Sequence, residues 1–247
     1  MNRDVRAAVF RPDDERTDEA VELLDSLGAD PVPDPMLAVE PTGETPAPGD
    51  YVVMTSKTGV ELVAEAGWTP GDATLVAIGE RTARAMREAG WTVDLIPEEY
   101  SSTGLVQMLE AEVDGNRVEV ARSDHGSDVL TDGLADAGAD VHETVLYRLV
   151  RPEGSGESAE LAADGEVDAA LFTSSLTVEH FLEAAAERGV RDAAVAGLND
   201  AVVGAIGEPT RETAEAHGVA VDVVPETASF EALATATVEA AAPSYRE

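Results

Sequence analysis

The chain has no cysteine, and only one of its 16 basic residues is lysine, Lys57. The first absence excludes disulfides and thiolate chemistry, and the four scattered histidines form no zinc-ligand pattern. Aromatics make up 4% of the 247 residues, and no apolar run approaches the roughly 18 residues that a membrane-spanning helix needs. No signal-peptide pattern opens the chain, and neither a nucleophile elbow nor a glycine-rich phosphate loop occurs in it. The expectation is a soluble, cytoplasmic protein with no metal, no cofactor and no membrane partner.

Positive charge is also scarce: 50 Asp and Glu stand against 16 Lys and Arg, for a net charge of −34. A disordered acidic tail would concentrate that charge. Here it is spread between apolar runs of ordinary strand and helix length, with 44% hydrophobic residues. The pattern is that of a folded protein with an acidic surface, suited to molar salt, where a Debye length of about 3 Å screens self-repulsion. Nucleic acid is excluded as a partner because counterion release needs a basic footprint.

What the chain does have is one strand-to-helix junction, written twice. VVMTSKTGVEL (52–62) and ALFTSSLTVEHFL (170–182) are each an apolar run that stops at Thr-Ser and passes into a helical pattern. Such a junction delivers the carboxyl end of a buried strand to a helix N-terminus, where free N–H groups and the helix dipole receive anions. We read the chain as two such crevices facing one ligand.

In chain order the spacing predicts a strand over 5–11 and a helix capped by Thr17 or Asp18 and closed by Gly28. Pro31, Pro33 and Pro35 predict an extended connector over 30–39. A strand over 51–55 leads to a helix ending at Gly67. A strand over 75–79 leads to a helix ending at Gly90. WTVDLIP predicts a further strand ending at Pro97, followed by a helix from Ser102 or Thr103 to about Glu112.

The pattern then restarts. Arg117 to Arg122 is a strand ending Arg-Ser where the first ended Arg-Pro, and Gly138-Ala139-Asp140 repeats Gly28-Ala29-Asp30. AIGERT at Ala77 returns as AIGEPT at Ala205, and GWTVDLIPE at Gly90 returns as GVAVDVVPE at Gly218, both shifted by 128. The chain is two copies of one α/β unit, roughly 1–112 and 113–247, with strands alternating with helices as in parallel sheets. Whether each copy folds alone or the two exchange segments is left open by the repeat.

The ordered set of motifs, VFRP at Val9, the apolar-TS junctions, IGxxT, GxxVxxxPE and VLYRLVRP at Val145, resembles the uroporphyrinogen-III synthase family over nearly the whole chain. The resemblance implies two flavodoxin-like α/β lobes with parallel sheets, joined by a two-stranded antiparallel linker. One lobe would be 1–36 plus 149–247 and the other 38–147, with linker strands near 31–39 and 144–150. It implies a cyclising lyase acting on hydroxymethylbilane, a linear tetrapyrrole with eight carboxylates. The product would be uroporphyrinogen III, formed with loss of water and inversion of ring D, on the route to haem, sirohaem and cobalamin. A monomer without cofactor is the expectation.

Thr55, Ser56, Thr173, Ser174 and Ser175 are helix caps on the simplest reading, and capping is compatible with lining the crevice. The N–H groups around Gly79 to Thr82 and Gly207 to Thr210 are expected to receive propionates and acetates. The resemblance places a ligand-facing threonine at Thr210, although Pro209 departs from the family's pattern beside it. It also places at Tyr147 the tyrosine that helps the hydroxyl leave; a phenol can donate without being titrated at neutral pH. Arg11, Lys57, Arg122 and Ser123 stand at strand ends facing the expected crevice. Arg84, Arg87 and Arg188 read as ordinary helix-surface charges.

Two other readings compete. A two-lobed, non-catalytic module could bind an anionic small molecule in the same architecture. A nucleotide-dependent enzyme on a Rossmann-type sheet is weaker, because FRPDD follows the first strand where a glycine fingerprint belongs.

Overall fold

A computed structural model describes residues 5–242. The chain forms two compact units and passes between them twice: one unit holds the chain up to Ala38 and from Val150 onward, the other Val39–Leu149. It opens in the first unit with β1 (Val5–Phe10), α1 (Glu15–Ser26) and β2 (Ala29–Pro33). Then come β3 (Ala38–Pro41), β4 (Tyr51–Met54), α2 (Lys57–Glu65), β5 (Thr74–Ala77), α3 (Glu80–Glu88), α4 (Ser102–Leu109), β6 (Arg117–Ser123), α5 (Asp128–Asp136) and β7 (Asp140–Val150). The return to the first unit supplies α6 (Glu157–Ala163), β8 (Ala169–Phe172), α7 (Ser175–Glu187), α8 (Arg191–Asp200), β9 (Val202–Ala205), α9 (Glu208–Ala216) and α10 (Phe230–Ala241).

The first unit's sheet runs β2-β1-β8-β9 and the second's β3-β7-β6-β4-β5. The β1–β2, β1–β8 and β8–β9 pairs are parallel, as are β6–β7, β6–β4 and β4–β5. The first sheet therefore takes two strands from each sequence copy, and the second takes β3, β4 and β5 from the first copy and β6 and β7 from the second: the copies exchange halves. Both sheets have the doubly wound flavodoxin-like order, with the strand order reversing at β1/β8 and at β6/β4.

The central strands carry few polar residues because helices cover both faces of each sheet. Along β1, Ala8 and Phe10 enter one core while Val5, Ala7 and Val9 enter the other. Three of the four phenylalanines meet in the first unit, Phe10 stacked on Phe172 at 4.5 Å with Phe181 edge-on to both. The second unit fills the same layers with Met54, Met86 and leucines.

The duplication extends to single hydrogen bonds. Asp94 Oδ2 accepts Leu75 N–H at 2.8 Å, and Asp222 Oδ2 accepts Val203 N–H at 2.9 Å. Asp50 Oδ2 accepts from Arg117 N–H, and Asp168 Oδ2 from Arg6 N–H. Ser101 and Ser229 cap α4 and α10.

Several elements depart from expectation. The run 30–39 is not one connector: its start is β2, an edge strand, the position where Pro31 and Pro33 can lack N–H groups. WTVDLIP contributes one bridge, Val76 with Leu95, because the Asp94 carboxylate occupies the Leu75 N–H and Pro97 follows; Gly204 with Val223 repeats this. Helix α1 is capped by Asp14, whose carboxylate reaches Arg16 N at 3.0 Å, three residues before the expected cap. Ser101 caps α4, which leaves Ser102 without that duty, and the helix ends at Leu109 rather than near Glu112.

Candidate active site

Ligands of doubly wound sheets bind beyond the carboxyl ends of the strands where the order reverses. In both units a threonine hydroxyl closes that point. Thr55 Oγ1 donates to Ala121 O at 3.2 Å, joining the ends of β4 and β6, and Thr173 Oγ1 donates to Phe10 O at 2.7 Å, joining β8 and β1. The serines that come next are helix N-caps: Ser56 Oγ accepts Gly59 N–H at 3.0 Å, and Ser174 forms a full capping box with Thr177. Ser175 is turned aside, donating to Pro209 O at 3.1 Å and accepting from Thr213.

Tyr147 meets Ser56 in the second unit. The Tyr147 hydroxyl, on a side chain 7% exposed, donates to Ser56 Oγ at 3.0 Å. Ser56 Oγ thus accepts from both Tyr147 and Gly59, so its own proton is free for a third partner. Both residues line a pocket of about 210 Å³ at these strand ends, with Thr55, Ile78, Ser102, Arg122, Ser123 and Ser127 among the other lining residues. A larger hollow of about 580 Å³ lies at the amino end of β5, among Thr69–Leu75 and Gly90–Asp94, and contains none of the expected site residues.

Gly79 and Gly207 precede α3 and α9 in extended conformation and offer no side-chain cap, so the first N–H groups there receive nothing from them. Thr82 and Thr210 are buried at the third position of each helix. Pro209 lacks an N–H, so α9 presents one donor fewer than α3. Tyr100, 63% exposed, lies against Gly79, where a Cβ would come 2.9 Å from its ring.

The cations differ from the expectation of free crevice donors. Arg122 is buried: Nη1 donates to Ser127 O at 2.6 Å, and Nη2 pairs with Glu143 and, at 3.7 Å, with Asp128. Its charge is spent holding the loop after β6 onto β7. Arg11, at the matching place after β1, lies with Cζ 4.6 Å from the Phe230 ring centroid. Burial and the nearby Arg16 lower its pKa from the usual arginine value. Lys57 Nζ is 3.0 Å from Glu61 on the exposed face of α2. Arg84 and Arg87 pair with Glu88 and Glu80, while Arg188 donates to Ser155 O at 2.9 Å.

Sequence reasoning passes over Ser102, Ser127, Gly59, Asp124 and Thr42. Ser102 reads as a cap in the sequence, a duty that Ser101 performs. Asp124 and Thr42 matter through backbone groups of β7, for which side-chain patterns carry no signal. Among the described residues no set of three His, Asp or Glu side chains is placed to hold a metal ion, and no helix is long and apolar enough to cross a membrane.

Two doubly wound sheets sharing one chain, with hydroxyls and uncapped helix N-termini at their strand ends and no dinucleotide fingerprint, define a two-unit flavodoxin-like α/β protein. Residues 18–235 match the family profile described as uroporphyrinogen-III synthase HemD, and the chain belongs to that family of cyclising lyases of porphyrin biosynthesis. A Methanothermobacter thermautotrophicus protein that carries the uroporphyrinogen-III synthase name provisionally is 35% identical over 236 residues, 89% of this chain and 92% of its own. The fold matches a mutant uroporphyrinogen III synthase from Thermus thermophilus, at TM-score 0.68 and 24% identity over 96% of this chain and 98% of that one. It also matches the Helicobacter pylori enzyme, at TM-score 0.62 and 14% identity over 96% and 100%.

Proposed function

We propose that the chain cyclises hydroxymethylbilane to uroporphyrinogen III, as a cytoplasmic monomer without cofactor, with its two units as the lobes of the family fold. The observation that carries the proposal is the Tyr147 hydroxyl on Ser56 at the strand-end pocket.

The substrate hydroxyl leaves as water once it gains a proton, and the electron pair of its C–O bond goes with it. Loss of the pyrrole N–H proton leaves a neutral azafulvene. The substituted carbon of ring D attacks that electrophile, and the resulting spiro intermediate fragments and recloses with ring D inverted. Loss of the ring proton restores the pyrrole. In this reading Ser56 directs its free proton toward the leaving hydroxyl, and Tyr147, donating to Ser56 from behind, supports the transfer as a weak general acid.

Substrate carboxylates are assigned to the N–H groups after Gly79 and Gly207, beside Thr82 and Thr210, and to the hydroxyls of Ser123 and Ser174. Thr55, Thr173 and Ser175, whose protons go to Ala121 O, Phe10 O and Pro209 O, are assigned to the crevice wall. Lys57, and Arg11 from its place on Phe230, are assigned to carboxylates at the rim. Arg122 is assigned to the pocket wall. The substrate is self-reactive and closes unaided to the type I isomer, so most of the catalytic work is holding one conformation.

The test supplies hydroxymethylbilane at molar salt and resolves isomers I and III after oxidation of the product. Type III is expected. Type I alone, at the uncatalysed rate, would turn the reading toward a non-catalytic binding module.

A further inference from the structure

Strand β7 changes register against β6 at one place: Arg122 faces Val145 but Ser123 faces Tyr147, so Leu146 is the extra residue of a bulge. In a regular strand successive side chains alternate between faces. Here Leu146 and Tyr147 both reach α2, and a Cβ on Gly59 would come 2.9 Å from Leu146 Cδ1 and 3.8 Å from Tyr147 Cε1. The bulge is what brings the phenol round to Ser56.

Two residues from separate segments grip it. Thr42, just after β3, donates its N–H to Leu146 O at 3.0 Å and its hydroxyl to Val145 O at 2.7 Å. Asp124, in the loop after β6, donates its N–H to Tyr147 O at 3.2 Å, and its Oδ1 accepts Leu149 N–H at 3.0 Å. His125 Nδ1 lies 2.9 Å from the same oxygen. Three successive carbonyls and one N–H around Tyr147 are therefore held by two residues, neither of which lines the pocket.

We infer that Asp124 and Thr42 are positioning residues for the Tyr147 phenol, acting through the bulge of β7. The inference rests on the role proposed for Tyr147. Asp124→Ala leaves the Leu149 N–H without its acceptor, whereas Asp124→Asn keeps an acceptor oxygen there. Thr42→Val keeps the shape and the backbone N–H bond to Leu146 and loses the hydroxyl's bonds to Val145 O and Leu146 O, together with the acceptor of the Glu44 N–H.

The test measures kcat and KM for Asp124→Ala, Asp124→Asn and Thr42→Val, each with Tyr147 present and with Tyr147→Phe. It also follows the ¹³Cζ tyrosine resonance that disappears in Tyr147→Phe. Asp124→Ala is expected to lower kcat about tenfold with KM within about twofold, and to shift the resonance, while Asp124→Asn restores most of both. Thr42→Val is expected to act in the same direction to a smaller extent. In the Tyr147→Phe background each substitution should cost less than about twofold, because the group it positions is gone. An equal fall in both backgrounds, or an unmoved resonance in a folded variant, overturns the inference. If Tyr147→Phe alone keeps full turnover, the acid role falls separately, and the resonance still decides whether these residues set the phenol's place.

Discussion

A Cβ placed on Gly59 would lie 2.9 Å from Leu146 Cδ1 and 3.1 Å from Ser56 Oγ. Gly59 sits inside α2, where alanine ordinarily gains about 1 kcal/mol over glycine. At this position the added methyl meets the bulged strand and the cap oxygen that receives Tyr147. Gly59→Ala is therefore expected to destabilise by about 1–3 kcal/mol, as overpacking does. Urea unfolding at fixed salt measures it, and an unchanged or raised midpoint would contradict the close approach.

Tyr147→Phe keeps the ring in its core cluster and removes the hydroxyl, leaving Ser56 Oγ with Gly59 as its donor. Turnover should fall by about 10²-fold if the phenol supports proton transfer. The III isomer should persist, because ring selection belongs to the substrate's held conformation. Rate and isomer ratio are read from the same oxidised product; full turnover in the variant removes the acid role.

Much of this architecture is written in the residues. Parallel strands buried on both faces need uninterrupted apolar runs, and the Thr-Ser junctions at Thr55 and Thr173 end those runs with the hydroxyls that cap the next helix. The shift of 128 also carries over to the Asp94 and Asp222 carboxylates and the Ser101 and Ser229 caps. Three things were not legible. The exchange of halves between copies is not legible in the repeat itself, because it depends on which strands pair; only the family resemblance implies it. The bulge at Leu146 is a backbone event with no residue signature of its own. Arg122 looks like a crevice cation until β7 brings Glu143 beside it.

The Asp124 carboxyl is held below the usual carboxylate value of 3.8: burial opposes ionisation, but the hydrogen bonds from His125 and the Leu149 N–H, with the His125 charge, outweigh it. A folded-state pKa below the unfolded one contributes stability that is present above the unfolded value and is lost as pH falls through the folded one. The loss should therefore fall below pH 3.8. Denaturation midpoints across the acid range should drop less steeply in Asp124→Asn than in the parent, and identical acid limbs would contradict the linkage.

Lys57 is the chain's one lysine, and its ammonium, 43% exposed, faces Glu61 one helical turn along. An exposed pair of this kind contributes only about 0.3–0.5 kcal/mol, so Lys57→Ala should leave stability nearly unchanged. Exchange of Glu61 for a substrate carboxylate would make the same variant raise KM at molar salt. An unaltered KM would confine Lys57 to its helix surface.

Salt should act on the whole protein. With a net charge of −34, like charges repel across the surface in dilute buffer, where the Debye length is about 10 Å at 0.1 M. At 1 M it is about 3 Å, shorter than the spacing of most surface carboxylates, so the repulsion opposing the compact state is largely removed. Screening also lets an anionic substrate approach an acidic surface, after which the donors at the strand ends act over hydrogen-bond distances that salt screens less. Melting temperature and turnover are both expected to rise between about 0.1 and 1 M KCl, with unfolding accounting for part of the lost activity at low salt. A flat melting temperature with full turnover in dilute buffer would show that the acidic surface is not an adaptation to salt.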